Sequence, residues 1–178
     1  MLEELGIDEA MLRKVLEEGP PLADGMTNEE AVDTTMKLVK GELQLKHVRG
    51  ITDKEMEAAY ANGFNIFQGG NYEKAEKMFE FLATLDNQEK KYFTALGACR
   101  FNLKNYHGAI AAYSVAVMID VEDPGLILKV AQCQLGLGDK ETAMGALEAA
   151  LEVAGDKPEH AQAKAQCQAL LDLLKDAS

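Results

Sequence analysis

Three cysteines (Cys99, Cys133, Cys167) and three histidines (His47, His107, His160) are the side chains of this 178-residue chain best suited to bind a metal or attack a substrate. A structural zinc site needs ligands paired a few residues apart, and these cysteines have no such partners. The histidines lie in separate segments, none with a carboxylate or cysteine spaced to build an acid–base pair or an activated nucleophile. Gly69-Gly70 lacks both a flanking strand and a following GK[ST], so it reads as a turn and not as a phosphate loop. Neither an enzyme nor a metal or cofactor is expected. An odd set of unpaired thiols suits a reducing compartment.

The cysteines carry a different message, because they lie 34 residues apart. The same interval separates Gly63, Gly97 and Ala131, then Asn71, Asn105 and Asp139, then Ala75, Ala109 and Ala143. Phe79, Tyr113 and Leu147 follow it, as do Leu82, Ala116 and Ala150. A helix–turn–helix unit of this length, small where helices cross and large between repeats, is the tetratricopeptide repeat. The expected fold is therefore all-α, with three tandem repeats at about 56–89, 90–123 and 124–157 stacked in a right-handed superhelix. The cysteines share one slot in successive repeats and read as small packing residues.

Local signals mark where the helices begin and end. Gly69-Gly70-Asn71, Lys104-Asn105 and Gly138-Asp139 supply the residues that close a helix with positive φ. Asp123-Pro124 opens the third repeat with a cap and a first-turn proline, and Thr52 with Glu55 forms a capping box before the first. Ala131-Gln132-Cys133-Gln134 recurs as Ala165-Gln166-Cys167-Gln168, and Pro124 recurs as Pro158. A helix over 159–175 is thus the first half of a fourth repeat, capping the array within a repeat domain at 51–178.

Residues 1–50 do not follow the period and form a separate N-terminal helical region. Leu12, Val15 and Leu16 predict a short helix stopped at Gly19-Pro20-Pro21. Thr27 and Glu30 make a capping box that opens a helix over about 28–48. Val32, Met36, Val39 and Leu43 give that helix one apolar stripe, which either packs on the first repeat or forms a homodimer contact.

In a repeat stack of this kind the first helix of each pair lines the concave side. Assigning Ala59, Asn62, Gly63 and Ile66 to the helix-pair interface leaves Tyr60, Phe64 and Phe67 for the groove. One period on come Thr94, Ala98 and Phe101, and a second brings Leu128, Gln132 and Leu135, with Lys91 the nearest cation. Such a mostly apolar groove suits an extended peptide, each buried client Leu or Val contributing about 1.5–3 kcal/mol. Phe64 and Phe67 also fit a second reading, as core filling inside the first repeat.

Charge narrows the partner. A formal net charge of −12 disfavours nucleic acid, and Tyr, Phe, Ala, Thr and Leu along the groove do not form a clamp for acidic peptide tails. No run approaches the roughly 20 apolar residues that span a bilayer, so stable membrane insertion is not expected. The acidic N-terminus lacks signal-peptide order, and a cytoplasmic location follows.

The run from Ala59 to Leu174 resembles the class II chaperones of bacterial type III secretion systems, the LcrH/SycD/IpgC kind. The resemblance is carried by Phe64-Asn65-Ile66-Phe67-Gln68, Gly70-Asn71-Tyr72, Leu85-Asp86 and Ala95-Leu96-Gly97-Ala98-Cys99-Arg100. Tyr106, Ala109-Ile110, Tyr113, Asp123-Pro124, Ala131-Gln132-Cys133 and Asp156-Lys157-Pro158-Glu159 extend it. It implies a bacterial cytosolic chaperone that keeps one or two hydrophobic, secreted translocator proteins soluble, through an extended client segment in the groove. By position it implies anchor pockets at Tyr60, Phe64, Phe67, Tyr72, Ala98 and Phe101, with Asn65 and Lys91 as polar contacts. It also implies dimerisation through N-terminal helices, although the stretch before the first repeat is longer than the family usually has. A generic repeat scaffold of another assembly is the alternative function.

Overall fold

The computed structural model describes residues 27–176, together with Ala10 and Lys14; the helix expected around Leu12, Val15 and Leu16 lies outside the described residues. The chain divides into two compact units at the Glu55–Met56 boundary. Among the described residues the secondary structure is entirely helical.

In the first unit, Thr27 and Glu30 form the expected capping box. The Thr27 N–H donates to Glu30 Oε2 at 2.9 Å and the Glu30 N–H donates to Thr27 Oγ1 at 3.2 Å. The helix they open, α1 (Asn28–Val39), is shorter than expected. Gly41 adopts φ 72°, its N–H donates to Leu38 O, and the Glu42 N–H reaches back to Lys37 O at 2.9 Å. These two bonds close the helix end in the left-handed geometry that glycine adopts without steric cost. A separate single turn, α2 (Leu45–Val48), follows, so the continuous 28–48 helix is corrected to two pieces. Val32 is buried within the chain, and Met36 and Leu43 are half-buried.

The repeats are the pairs α3 (Asp53–Gln68) with α4 (Tyr72–Leu85), α5 (Lys90–Asn102) with α6 (Tyr106–Ile119), and α7 (Pro124–Gly136) with α8 (Lys140–Ala154). Pro158–His160 makes a 3-10 turn, and α9 (Ala161–Asp176) packs on α8 and α7 as the capping helix. One joint recurs inside every repeat. Gly70, Lys104 and Gly138 take positive φ, and the next residue donates its N–H to a carbonyl of the last helical turn. That next residue, Asn71, Asn105 or Asp139, then caps the following helix, accepting from the N–H of Lys74, Gly108 or Thr142. A single residue therefore serves both helix ends, its backbone N–H closing one and its side chain capping the next, which holds the turn short. Lys104 pays a left-handed penalty of about 1–2 kcal/mol that glycine avoids at the other two joints.

Inside each pair, close approach is matched to side-chain size. A Cβ on Gly97 would lie 2.7 Å from the ring of Tyr113, and one on Gly63 would lie 3.0 Å from that of Phe79. In the third pair the large residue is Leu147 and its small counterpart is Ala131; both are fully buried. Arg100 links neighbouring repeats, donating to Glu76 at 2.8 Å and Glu80 at 3.0 Å on α4. Cys99, Cys133 and Cys167 are fully buried, and burial pushes the thiols of Cys99 and Cys133 up to about 12 and about 11. Thiols held that high are protonated near pH 7 and pack as small apolar groups.

The Gly97–Tyr113 fit predicts a coupled effect. Gly97→Ala should destabilise the protein by about 1–3 kcal/mol despite its better helix propensity. In a double-mutant cycle with Tyr113→Leu, urea denaturation should show a loss smaller than the sum of the two single losses.

Candidate peptide-binding groove

The first helices α3, α5 and α7 bring their side chains around one cavity of about 320 Å³. Its aromatic wall comes from α3, where Tyr60, Phe64 and Phe67 fall at i, i+4 and i+7 and so share a face. The Tyr60 ring stacks on Phe64 at 6.4 Å and leans on Phe79 at 5.6 Å and on Tyr92 at 5.8 Å. Phe64 remains 42% exposed, which places it in the groove wall and not in the core of the first repeat. Ala95 and Ala98 of α5 contribute lining of little bulk, and the buried Leu126 of α7 completes it.

Charges at the rim are paired with one another. Lys91 Nζ lies 5.2 Å above the Tyr60 ring and 5.5 Å from that of Tyr92, and it donates to Glu57. The Glu57 hydrogen bond holds the Lys91 ammonium above the usual lysine range. Burial raises the Tyr60 and Tyr92 phenols, so both are neutral near pH 7. Lys90, on the neighbouring edge, donates to Asp120 at 2.7 Å and to Asp123 at 3.1 Å, tying α5 to the loop before α7. Thr94 turns its hydroxyl back to donate to the Lys90 carbonyl at 2.9 Å, which leaves its donor occupied. The cavity is therefore apolar at its centre and nearly neutral at its edge.

Of the residues expected to contact a peptide, Tyr60, Phe64, Phe67, Lys91, Thr94 and Ala98 line this cavity. Tyr72 and Phe101 lie outside its lining. Tyr72 props Phe67 edge-on at 5.2 Å, and Phe101 meets Tyr106 in the same way at 5.6 Å. Asn65 is exposed and outside the lining, and Asn62, assigned to the helix-pair interface, is exposed as well. Leu128 is a core residue packed with Leu147 and Leu171, because α9 covers that stretch of α7. Gln132 lines a separate depression beside α9. Sequence reasoning missed Lys90, Asp123, Phe79, Ala95 and Leu126. Phe79 and Leu126 were hidden because both also serve the core, and the Lys90 pairs join residues 30 and 33 positions apart.

Antiparallel helix pairs in 34-residue register around an apolar cavity define a tetratricopeptide-repeat protein, and the tetratricopeptide-repeat family pattern matches residues 100–167. The Low calcium response locus protein H of Yersinia pestis is 37% identical over 62 residues, 35% of this chain and 37% of that protein's length. The match thus spans little more than a third of that relative. Solved structures match over much more. PcrH, a Pseudomonas aeruginosa protein, was solved with the chaperone binding region of PopD; it is 34% identical with a TM-score of 0.68, covering 72% of this chain and 96% of that one. The Yersinia enterocolitica chaperone SycD, solved with a peptide of the translocator YopD, is 32% identical with a TM-score of 0.66, covering 70% and 95%. SycD was also solved as an alternative dimer. The chain belongs to the type III secretion translocator chaperones. Among the described residues no helix is long and apolar enough to cross a membrane.

The Lys90 bridge carries a pH signature. The Lys90 hydrogen bond holds the Asp120 carboxyl below its usual value, so that contribution is present above about pH 4 and is lost as pH falls through the lowered value. The Asp120 hydrogen bond raises Lys90, so its contribution is present below about pH 10 and is lost as pH rises through the raised value. Urea denaturation should therefore find Lys90→Met destabilising by a constant amount between about pH 5 and 9, with the difference from the parent shrinking at both extremes.

Proposed function

We propose that this protein is a bacterial cytoplasmic chaperone that keeps the hydrophobic translocator proteins of a type III secretion system soluble before their export. It holds one extended client segment in the groove, forms one-to-one complexes, and catalyses no reaction. The observation that carries this reading is the cavity framed by Tyr60, Phe64 and Phe67, open to solvent yet walled by aromatic side chains from a rigid helix. Large rigid aromatics give contact area at low entropic cost, and the paired rim charges leave the centre free for apolar anchors. Membership in the translocator-chaperone family supplies the kind of client.

A labelled peptide from the chaperone binding region of PopD serves as the probe. Tyr60→Ala and Phe67→Ala should each weaken binding by about ten- to a hundredfold while the variants stay folded by circular dichroism. Folded variants that bind as tightly as the parent would remove the groove from the proposal.

The same proposal includes a homodimer through the first unit, of the kind expected from Val32, Met36, Val39 and Leu43. Val32 is already buried within its own chain, which leaves the half-buried Met36 and Leu43 to meet a partner. Light scattering should report a dimer for the parent and a monomer for Met36→Asp/Leu43→Asp. A monomeric parent would end the dimer reading.

A further inference from the structure

We propose that the concave face carries a second subsite of different chemistry, a glutamine shelf that binds the backbone of the same client segment beyond its apolar anchors. This rests on the peptide-binding reading above. The shelf is the depression of about 480 Å³ between α7 and α9, lined by Leu128, Lys129, Gln132, Gln166, Leu170 and Leu173 among others.

Its position follows from the repeat. Phe64, Ala98, Gln132 and Gln166 occupy one slot at 34-residue intervals, so a single stripe runs from aromatic, through small, to amide. The two subsites are continuous through α7, which supplies Leu126 to the apolar cavity and Leu128 and Gln132 to the shelf. An extended segment leaving the cavity along the stripe passes over the two glutamines.

The chemistry changes along that path. An extended chain presents one N–H and one C=O per residue, and each must be paired when it leaves water. No side-chain amide lines the apolar cavity, where Lys90 and Asp123 are engaged with each other. On the shelf, the side-chain amides of Gln132 and Gln166 have no hydrogen-bond partner among the described residues, whereas the nearby Gln168 amide donates to Asp172 at 2.8 Å. A primary amide offers two donors and a carbonyl acceptor, which matches both backbone groups. Helices packed about 8–10 Å apart place two such amides at a spacing that an extended chain crosses in two to three residues. Leu173, 64% exposed, adds an apolar edge. The cavity thus selects side chains, and the shelf holds backbone whatever the sequence. A client that varies outside its anchors is still retained.

The test uses two labelled peptides from the chaperone binding region of PopD: the shortest that binds, and the same peptide extended at both ends. Gln132→Met/Gln166→Met keeps side-chain length and removes the amides. It should weaken the long peptide by about five- to fiftyfold and leave the short one unchanged. Replacing the extension by alanines should keep the long peptide's affinity within about twofold, because backbone groups are read. Phe67→Ala should weaken both lengths. If the methionine pair binds both lengths like the parent while Phe67→Ala still weakens them, the shelf is overturned and the groove reading stands. If neither the methionine pair nor Phe67→Ala weakens either length, both fall. Loss of self-association in the methionine pair by light scattering would assign the shelf to a second copy of the chain and overturn the proposal.

Discussion

The two helices of each repeat meet over a position where one of them has almost no side chain. Gly63 lies under the ring of Phe79 and Gly97 under that of Tyr113, and where the ring gives way to Leu147 the small residue becomes Ala131. Space given up on the first helix is taken by the second, which keeps the interior close-packed. With Ala75, Ala109 and Ala143 also fully buried, the helices approach closely enough for the short joints at Asn71, Asn105 and Asp139 to close. The groove depends on the same fit. Because one face of α3 and α5 is committed to its partner helix, another is left to line the cavity, and Phe79 reaches through to support Tyr60.

Electrostatics shapes this surface by cancellation. Lys90 is paired with Asp120 and Asp123, and Lys91 with Glu57, so the cations nearest the cavity are already neutralised. A protein of net charge −12 with such a rim offers no attraction to an acidic peptide. What it presents is apolar area. These exposed pairs have modest energetic worth, but Lys91–Glu57 bridges the first two repeats and the Lys90 pairs tie α5 to the loop before α7.

Much of this was legible in the sequence because it is either periodic or local. The 34-residue interval located the helix pairs, and capping residues such as Thr52, Asn105 and Asp123 act within a few positions of themselves. Gly41 was harder. An isolated glycine inside an apolar stripe is compatible with a continuing helix, and its positive φ with the Glu42 N–H bond to Lys37 O reveals the break. Leu128 was assigned to the groove by adding a period to Thr94, a step that ignores α9 covering the third repeat differently from the second. Tyr72 and Phe101 were expected as pocket walls but stand beside Phe67 and Tyr106 as supports, a distinction set by ring orientation. The Lys90 bridges, joining the start of the second repeat to the loop at its end, leave no trace in a periodic reading.

The buried thiols have a consequence for how the array breathes. Cys99, Cys133 and Cys167 sit at equivalent depths in the second repeat, the third repeat and the capping helix, and each is shielded completely from solvent. A thiol in that setting meets an alkylating reagent only when its own stretch of the stack opens. The chain thus carries three native clocks for local unfolding, spaced one repeat apart. The order in which they run would show whether the solenoid loosens from its capped end or from its middle.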